Sequence, residues 1–197
     1  MTREYAPIRA RALEPGATYQ QPVLAPPRSL REDDPAVEAM TDFRRVRVVT
    51  VPPDVTMEYS YQRMKYNGVR LLLVVDEQNR VLGLITSTDV EGEAPLRVIH
   101  DRGIRRDEIL VCDVMTPSER IEVLDIAEVE RAQVGNVVAT FKATGRRHAL
   151  VVDCGEQCRE CVRGLFSATQ VGRQLGIEIQ TSEVARNFAQ LESLLGH

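Results

Sequence analysis

The chain repeats itself, and the repeat limits what it can fold into. Asn67-Gly68-Val69-Arg70-Leu71-Leu72-Leu73-Val74-Val75-Asp76 is echoed by Thr144-Gly145-Arg146-Arg147-His148-Ala149-Leu150-Val151-Val152-Asp153. Val81-Leu82-Gly83-Leu84-Ile85-Thr86-Ser87-Thr88-Asp89-Val90 returns as Val162-Arg163-Gly164-Leu165-Phe166-Ser167-Ala168-Thr169-Gln170-Val171. Upstream, Met40-Thr41 matches Met115-Thr116. The three blocks recur in the same order at offsets of 75, 77 and 81 residues. One such repeat has too few strands to bury both faces of its sheet. Two repeats stacked face to face share a core.

Each repeat reads as strand, helix, strand, strand, helix. In the first, Val46, Val48, Val49 and Val51 form a β-rich run closed by Pro52-Pro53. Asp54 is placed to cap a helix carrying Val55, Tyr59 and Met64, which Gly68 stops. The unbroken apolar run 71–75 needs cover on both faces. Residues 77–80 make a hairpin turn, the strand 81–85 returns, and Thr86-Ser87-Thr88-Asp89 opens a helix. The second repeat predicts a strand at 121–124, a helix near 129–144, strands at 149–152 and 162–166, and a helix from about 168.

These elements divide the chain into a Pro-rich tail (1–33), a first unit with a connecting helix (34–104), a second unit (105–178) and a C-terminal helix (179–197). The tail is broken by Pro7, Pro15, Pro22, Pro26 and Pro27, and is expected to be disordered or draped over the surface. Asp34-Pro35 opens a helical turn with Asp34 as cap. Val184, Phe188, Leu191, Leu194 and Leu195 give the C-terminal helix an amphipathic face. The fold class is therefore α/β (α+β), with two pseudo-symmetric units packed sheet to sheet.

No apolar run approaches the ~18 residues that span a membrane, and the N-terminus has no apolar leader core. A cytoplasmic protein without membrane contact is expected. The net charge of −4 and the lack of a dense basic stripe argue against nucleic acid as the main partner. No nucleophile elbow, P-loop or His-rich metal box is present, so an enzyme is not expected.

The pattern Asp, hairpin, Gly-apolar-apolar-Thr-x-x-Asp, seen at Asp76 and Gly83 to Asp89, resembles the cystathionine-β-synthase (CBS) domain. With its second copy and both Met-Thr lead-ins, residues 35–176 resemble a tandem CBS pair, or Bateman module. The resemblance implies β-α-β-β-α units that pair pseudo-symmetrically, and modules that dimerise. It also implies an adenosyl ligand, such as AMP, ADP, ATP or S-adenosylmethionine, held in clefts between units as a regulatory signal rather than a required cofactor. With no effector domain beside the pair, an unidentified separate protein is the expected target.

Thr86 and Asp89 sit where a strand meets a helix start, which suits both a helix cap and an anion or hydroxyl site. The resemblance gives Asp89 the ribose diol. Ser167 and Gln170 hold the matching positions in the second repeat, where a neutral, longer side chain is a poorer diol acceptor. Val51, Val69, Val123 and His148 are candidates to line the adenine, with plain core as the competing reading. Arg70 and Arg147, at matched positions, suit phosphate.

Cys154, Cys158 and Cys161 occupy the second hairpin, which is four residues longer than the first. Three readings stay open: a zinc site, with Cys112 from a buried segment as a weak fourth ligand, a regulatory disulfide, or an exposed loop without metal. Three functions compete accordingly. They are a stand-alone adenosyl-binding regulator, a ligand-free structural or adaptor dimer, and a metal or redox sensor acting through the cysteine hairpin.

Overall fold

The computed structural model describes residues 29–154 and 160–181. Two four-stranded sheets face each other. One has the order β2 (Thr50–Val51), β3 (Leu71–Val75), β4 (Val81–Thr86), β5 (Thr116–Pro117). The other runs β1 (Thr41–Asp42), β8 (Cys161–Ser167), β7 (His148–Asp153), β6 (Val123–Asp125). Helices α1 (Met57–Asn67), α2 (Ser87–Glu91), α3 (Ala94–Arg102) and α4 (Val111–Val114) belong to the first unit. Helices α5 (Ile126–Arg131), α6 (Val134–Thr144) and α7 (Ala168–Leu175) belong to the second.

The run 71–75 is buried on both faces, as its composition requires. Leu72 and Val74 point to a core with Met57, Met64 and Ile85 under the helices. Leu71 and Leu73 point the other way and meet Leu150, Leu84 and Leu165 between the sheets. The second unit has its own helix-side core around Phe141, Val151 and Phe166. Successive side chains of a strand face opposite ways, so one strand serves two cores.

The two units exchange their lead-in segments. β1 precedes the first unit in sequence but pairs with β8 of the second. β5 precedes the second unit but pairs with β4 of the first. Ala36, Ala39 and Met40 pack in the second unit's core, and Ile109, Val111 and Val114 in the first's. The three matched blocks of the repeat therefore meet in space. Each Met-Thr strand crosses the glycine of the opposite unit, Thr116 over Gly83 and Thr41 over Gly164.

Local details depart from the sequence reading. Thr56, not Asp54, caps α1: its Oγ1 accepts the Tyr59 N–H, and Tyr59 is exposed while Met57, Ser60 and Met64 are buried. Asp34 accepts the Arg31 N–H instead of capping, and Pro35 stands at the start of a 3-10 turn, Ala36–Ala39. The helix expected near 129–144 is broken at Ala132-Gln133 into α5 and α6, where Ala132 and Val134 exchange backbone hydrogen bonds with the 34–36 segment. The run 46–51 contributes only Thr50–Val51 to the sheet, with Val46 largely exposed. A 3-10 turn at Ser118–Arg120 delays the strand expected at 121–124 to Val123–Asp125. At the end of the Pro-rich tail, Leu30 is buried in the second unit's core and donates its N–H to Gln174 O. Residues 1–28 of that tail and the apolar positions of the C-terminal helix lie outside the described residues. Among the described residues no helix is long and apolar enough to cross a membrane.

Candidate functional site

Asp89 is positioned by a capping box. Its Oδ2 accepts the Thr86 N–H at 2.7 Å and the Thr86 hydroxyl at 2.7 Å, while Thr86 Oγ1 accepts the Asp89 N–H at 3.3 Å. Both sequence readings of this motif use the same geometry, and the cap is the one realised within the chain. It employs a single carboxylate oxygen. Asp89 Oδ1 accepts no hydrogen bond among the described residues.

This corner of the first unit faces the second unit across a cavity of about 450 Å³. Leu84, Thr86, Thr88 and Asp89 form one wall, and Arg120, Ile121, Glu122 and the turn from Gly145 to His148 the other. Gly145 ends α6 with φ +70°, a left-handed conformation that only glycine adopts at little cost. That turn delivers Arg146 and Arg147 to the cavity. Arg146 is tied to Glu122 at 3.1 Å, while Arg120 and Arg147 make no ion pair among the described residues.

A pseudo-symmetric cleft of about 620 Å³ lies on the other side of the seam. Here Ser167 and Gln170 replace Thr86 and Asp89, and the opposing wall comes from the first unit: Val46, Arg47, Val48, Gly68, Val69 and Arg70. A third cavity of about 440 Å³ joins them and is lined by Lys65, Arg70, Arg147 and His148. Each outer cleft thus takes the strand–helix corner of one unit and the helix–strand turn of the other. Arg147 and His148 stand beside Asp89, whereas Val69 and Arg70 stand beside Gln170. Val51 is 1% exposed within the first unit's core, and Val123 lies on the exposed side of β6; neither lines these three cavities. Arg120, Ile121, Thr88, Arg47 and Arg173 were missed from sequence, because their place at the seam depends on how the units pair.

Residues 37–93 match the CBS domain family. The chain carries a CBS domain. Its second unit repeats the topology, and the fold is that of a CBS pair. Over 112 residues the chain is 30% identical to an uncharacterised 17.7 kDa protein of Acidianus ambivalens, covering 57% of this chain and 66% of that one, just under two thirds of its length. A structure of an uncharacterised conserved protein from Pyrococcus horikoshii superposes with a TM-score of 0.51 at 19% identity, covering 72% of this chain and 92% of that one. A protein with CBS domains from Burkholderia ambifaria superposes at 0.50 with 20% identity, covering 65% of this chain and 82% of that one.

His148 lines all three cavities. Burial lowers its pKa from 6.5 to about 4, helped by the positive charges of Arg147 and Arg70. The imidazole is neutral at physiological pH, with the Arg70 and Arg147 guanidinium groups as charged neighbours. In the second hairpin, Cys161 is disulfide-bonded and Cys154 is free, so these two are not each other's partners despite facing ends of one hairpin. Cys158 lies outside the described residues. Cys112, expected to be buried, is exposed on α4. Among the described residues no group of three His, Cys, Asp or Glu side chains is placed to hold a metal ion.

Proposed function

We propose that this CBS pair is a regulatory module that binds an adenosyl ligand, an adenine nucleotide or S-adenosylmethionine, in the Asp89 cleft. The observation that carries the reading is the division of labour within one carboxylate. Oδ2 fixes the strand–helix corner and Oδ1 stays available at a seam cavity of about 450 Å³. A ribose diol donates well to such a carboxylate, since hydrogen bonds to charged groups are the strong ones. Ile121 and Leu84 offer apolar surface for a base. Arg120 and Arg147 offer guanidinium groups for phosphate or carboxylate.

A ligand seated there touches both units at once. It stabilises whichever relative placement of the units it fits best, and that bias is a signal a partner can read. The reading is of a regulator and not an enzyme, acting in the cytoplasm as a homodimer on a separate protein. With a pKa lowered to about 4 and no carboxylate to orient it among the described residues, His148 is a poor general base.

A thermal-shift screen with AMP, ADP, ATP, S-adenosylmethionine, NAD and cyclic dinucleotides tests this. A ligand at about 100 times its Kd adds about 2.7 kcal/mol, or roughly 5–11 °C in Tm for a chain of this size. A shift of that order with one adenosyl compound is expected. No shift with any of them contradicts the reading and favours the ligand-free adaptor.

A further inference from the structure

The Gln170 cleft differs from its twin in charge, in lining and in what its polar groups already hold. We propose that it binds an anionic head group carried on a hydrocarbon or aromatic body, and not a second nucleoside.

Three observations carry this. The first is charge. Arg47, Arg70 and Arg173 line the cleft, no Asp or Glu does, and none of the three arginines makes an ion pair among the described residues. The Asp89 cleft, by contrast, sets Asp89 and Glu122 among its arginines. A low-dielectric concavity lined by one sign of charge concentrates the opposite sign. The second is the state of Gln170. The Thr41 hydroxyl donates to its Oε1 at 3.1 Å, which uses one of that oxygen's two lone pairs and sets the orientation of the amide. Unlike a carboxylate, the amide also carries an N–H pair, which suits an anion. The third is the lining. Phe43, Val46, Val48, Leu73 and Leu165 give this cavity a broad apolar floor, and at about 620 Å³ it is larger than its twin. Gln174 completes the wall. Its amide oxygen is buried without a partner among the described residues.

The probe is anilinonaphthalene sulfonate, an aromatic anion whose fluorescence rises in apolar sites, with decanoate and decyl phosphate as competitors. The full chain is titrated as wild type and as Gln170→Asp, Arg173→Glu and Asp89→Ala, each checked by circular dichroism. The expected result is a saturable dye site displaced by decanoate or decyl phosphate but not by AMP. Its Kd rises at least tenfold in Gln170→Asp and in Arg173→Glu, and is unchanged in Asp89→Ala. If Gln170→Asp fails to fold, Arg173→Glu alone decides. An absent dye site, one that AMP displaces, one insensitive to both Gln170→Asp and Arg173→Glu, or one lost in Asp89→Ala overturns the proposal. The adenosyl reading of the other cleft fails on a different result, an AMP titration that Asp89→Ala leaves unchanged, so the two failures are distinguishable.

Discussion

Gly83→Ala and Gly164→Ala are each expected to destabilise the protein by about 2–3 kcal/mol, lowering Tm by roughly 4–12 °C. In most strand positions alanine would be the better residue, because glycine loses more backbone freedom on folding. Here a backbone oxygen occupies the space. A Cβ on Gly83 would lie 2.4 Å from Thr116 O, and one on Gly164 would lie 2.6 Å from Thr41 O and 2.9 Å from Met40 Sδ. Neither oxygen can step aside cheaply. Leu84 pairs with Thr116 across β4 and β5, and Gly164 pairs with Asp42 across β8 and β1. Shifting either lead-in strand also lifts Met40 or Val114 from the core it covers. Urea unfolding followed by circular dichroism measures the loss. Variants as stable as the wild type would mean that the exchanged lead-in strands are not fixed where they lie.

The second large effect is on pH dependence. The pKa of His148 drops from 6.5 to about 4 on folding. The folded state therefore binds the proton less well than the unfolded chain. Stability from this residue is complete above pH 6.5 and is lost as pH falls toward 4, by about 3 kcal/mol in all. Replacing His148 by leucine copies its twin position, Leu71, and removes the titration. The stability of His148→Leu is expected to decline much less than that of the wild type between pH 6.5 and 4. Denaturant midpoints across that interval report it, and parallel curves for the two proteins would place the acid sensitivity elsewhere.

The architecture was legible because each repeat carries its own punctuation. Gly68 and Gly145 end matched helices in the left-handed conformation, and the 71–75 run could only be a strand covered on both faces. Met40-Thr41 and Met115-Thr116 were visible as repeat blocks, but their role was not. A two-residue strand has no periodicity to read, and its partner lies in the other unit. The same limit governed the site. Thr86 and Asp89 were read correctly as a strand–helix corner, since the capping spacing is local. Which turn faces them is not local. Arg70 and Arg147 are matched in sequence, yet they line opposite outer clefts because the units pair pseudo-symmetrically. The exposed position of Cys112 was missed because a four-residue helix gives too few side chains to reveal its outward face.

The most direct test of the central claim is a calorimetric titration of wild type and Asp89→Ala with the adenosyl compound that gives the largest thermal shift. The account predicts one site at Asp89, weakened at least about tenfold in the variant, because a charge-assisted acceptor worth more than about 1.4 kcal/mol is lost. The variant's own stability should fall by only about 1 kcal/mol, the cost of a helix cap. Equal affinity in the two proteins would contradict the account and move any ligand away from the Asp89 cleft.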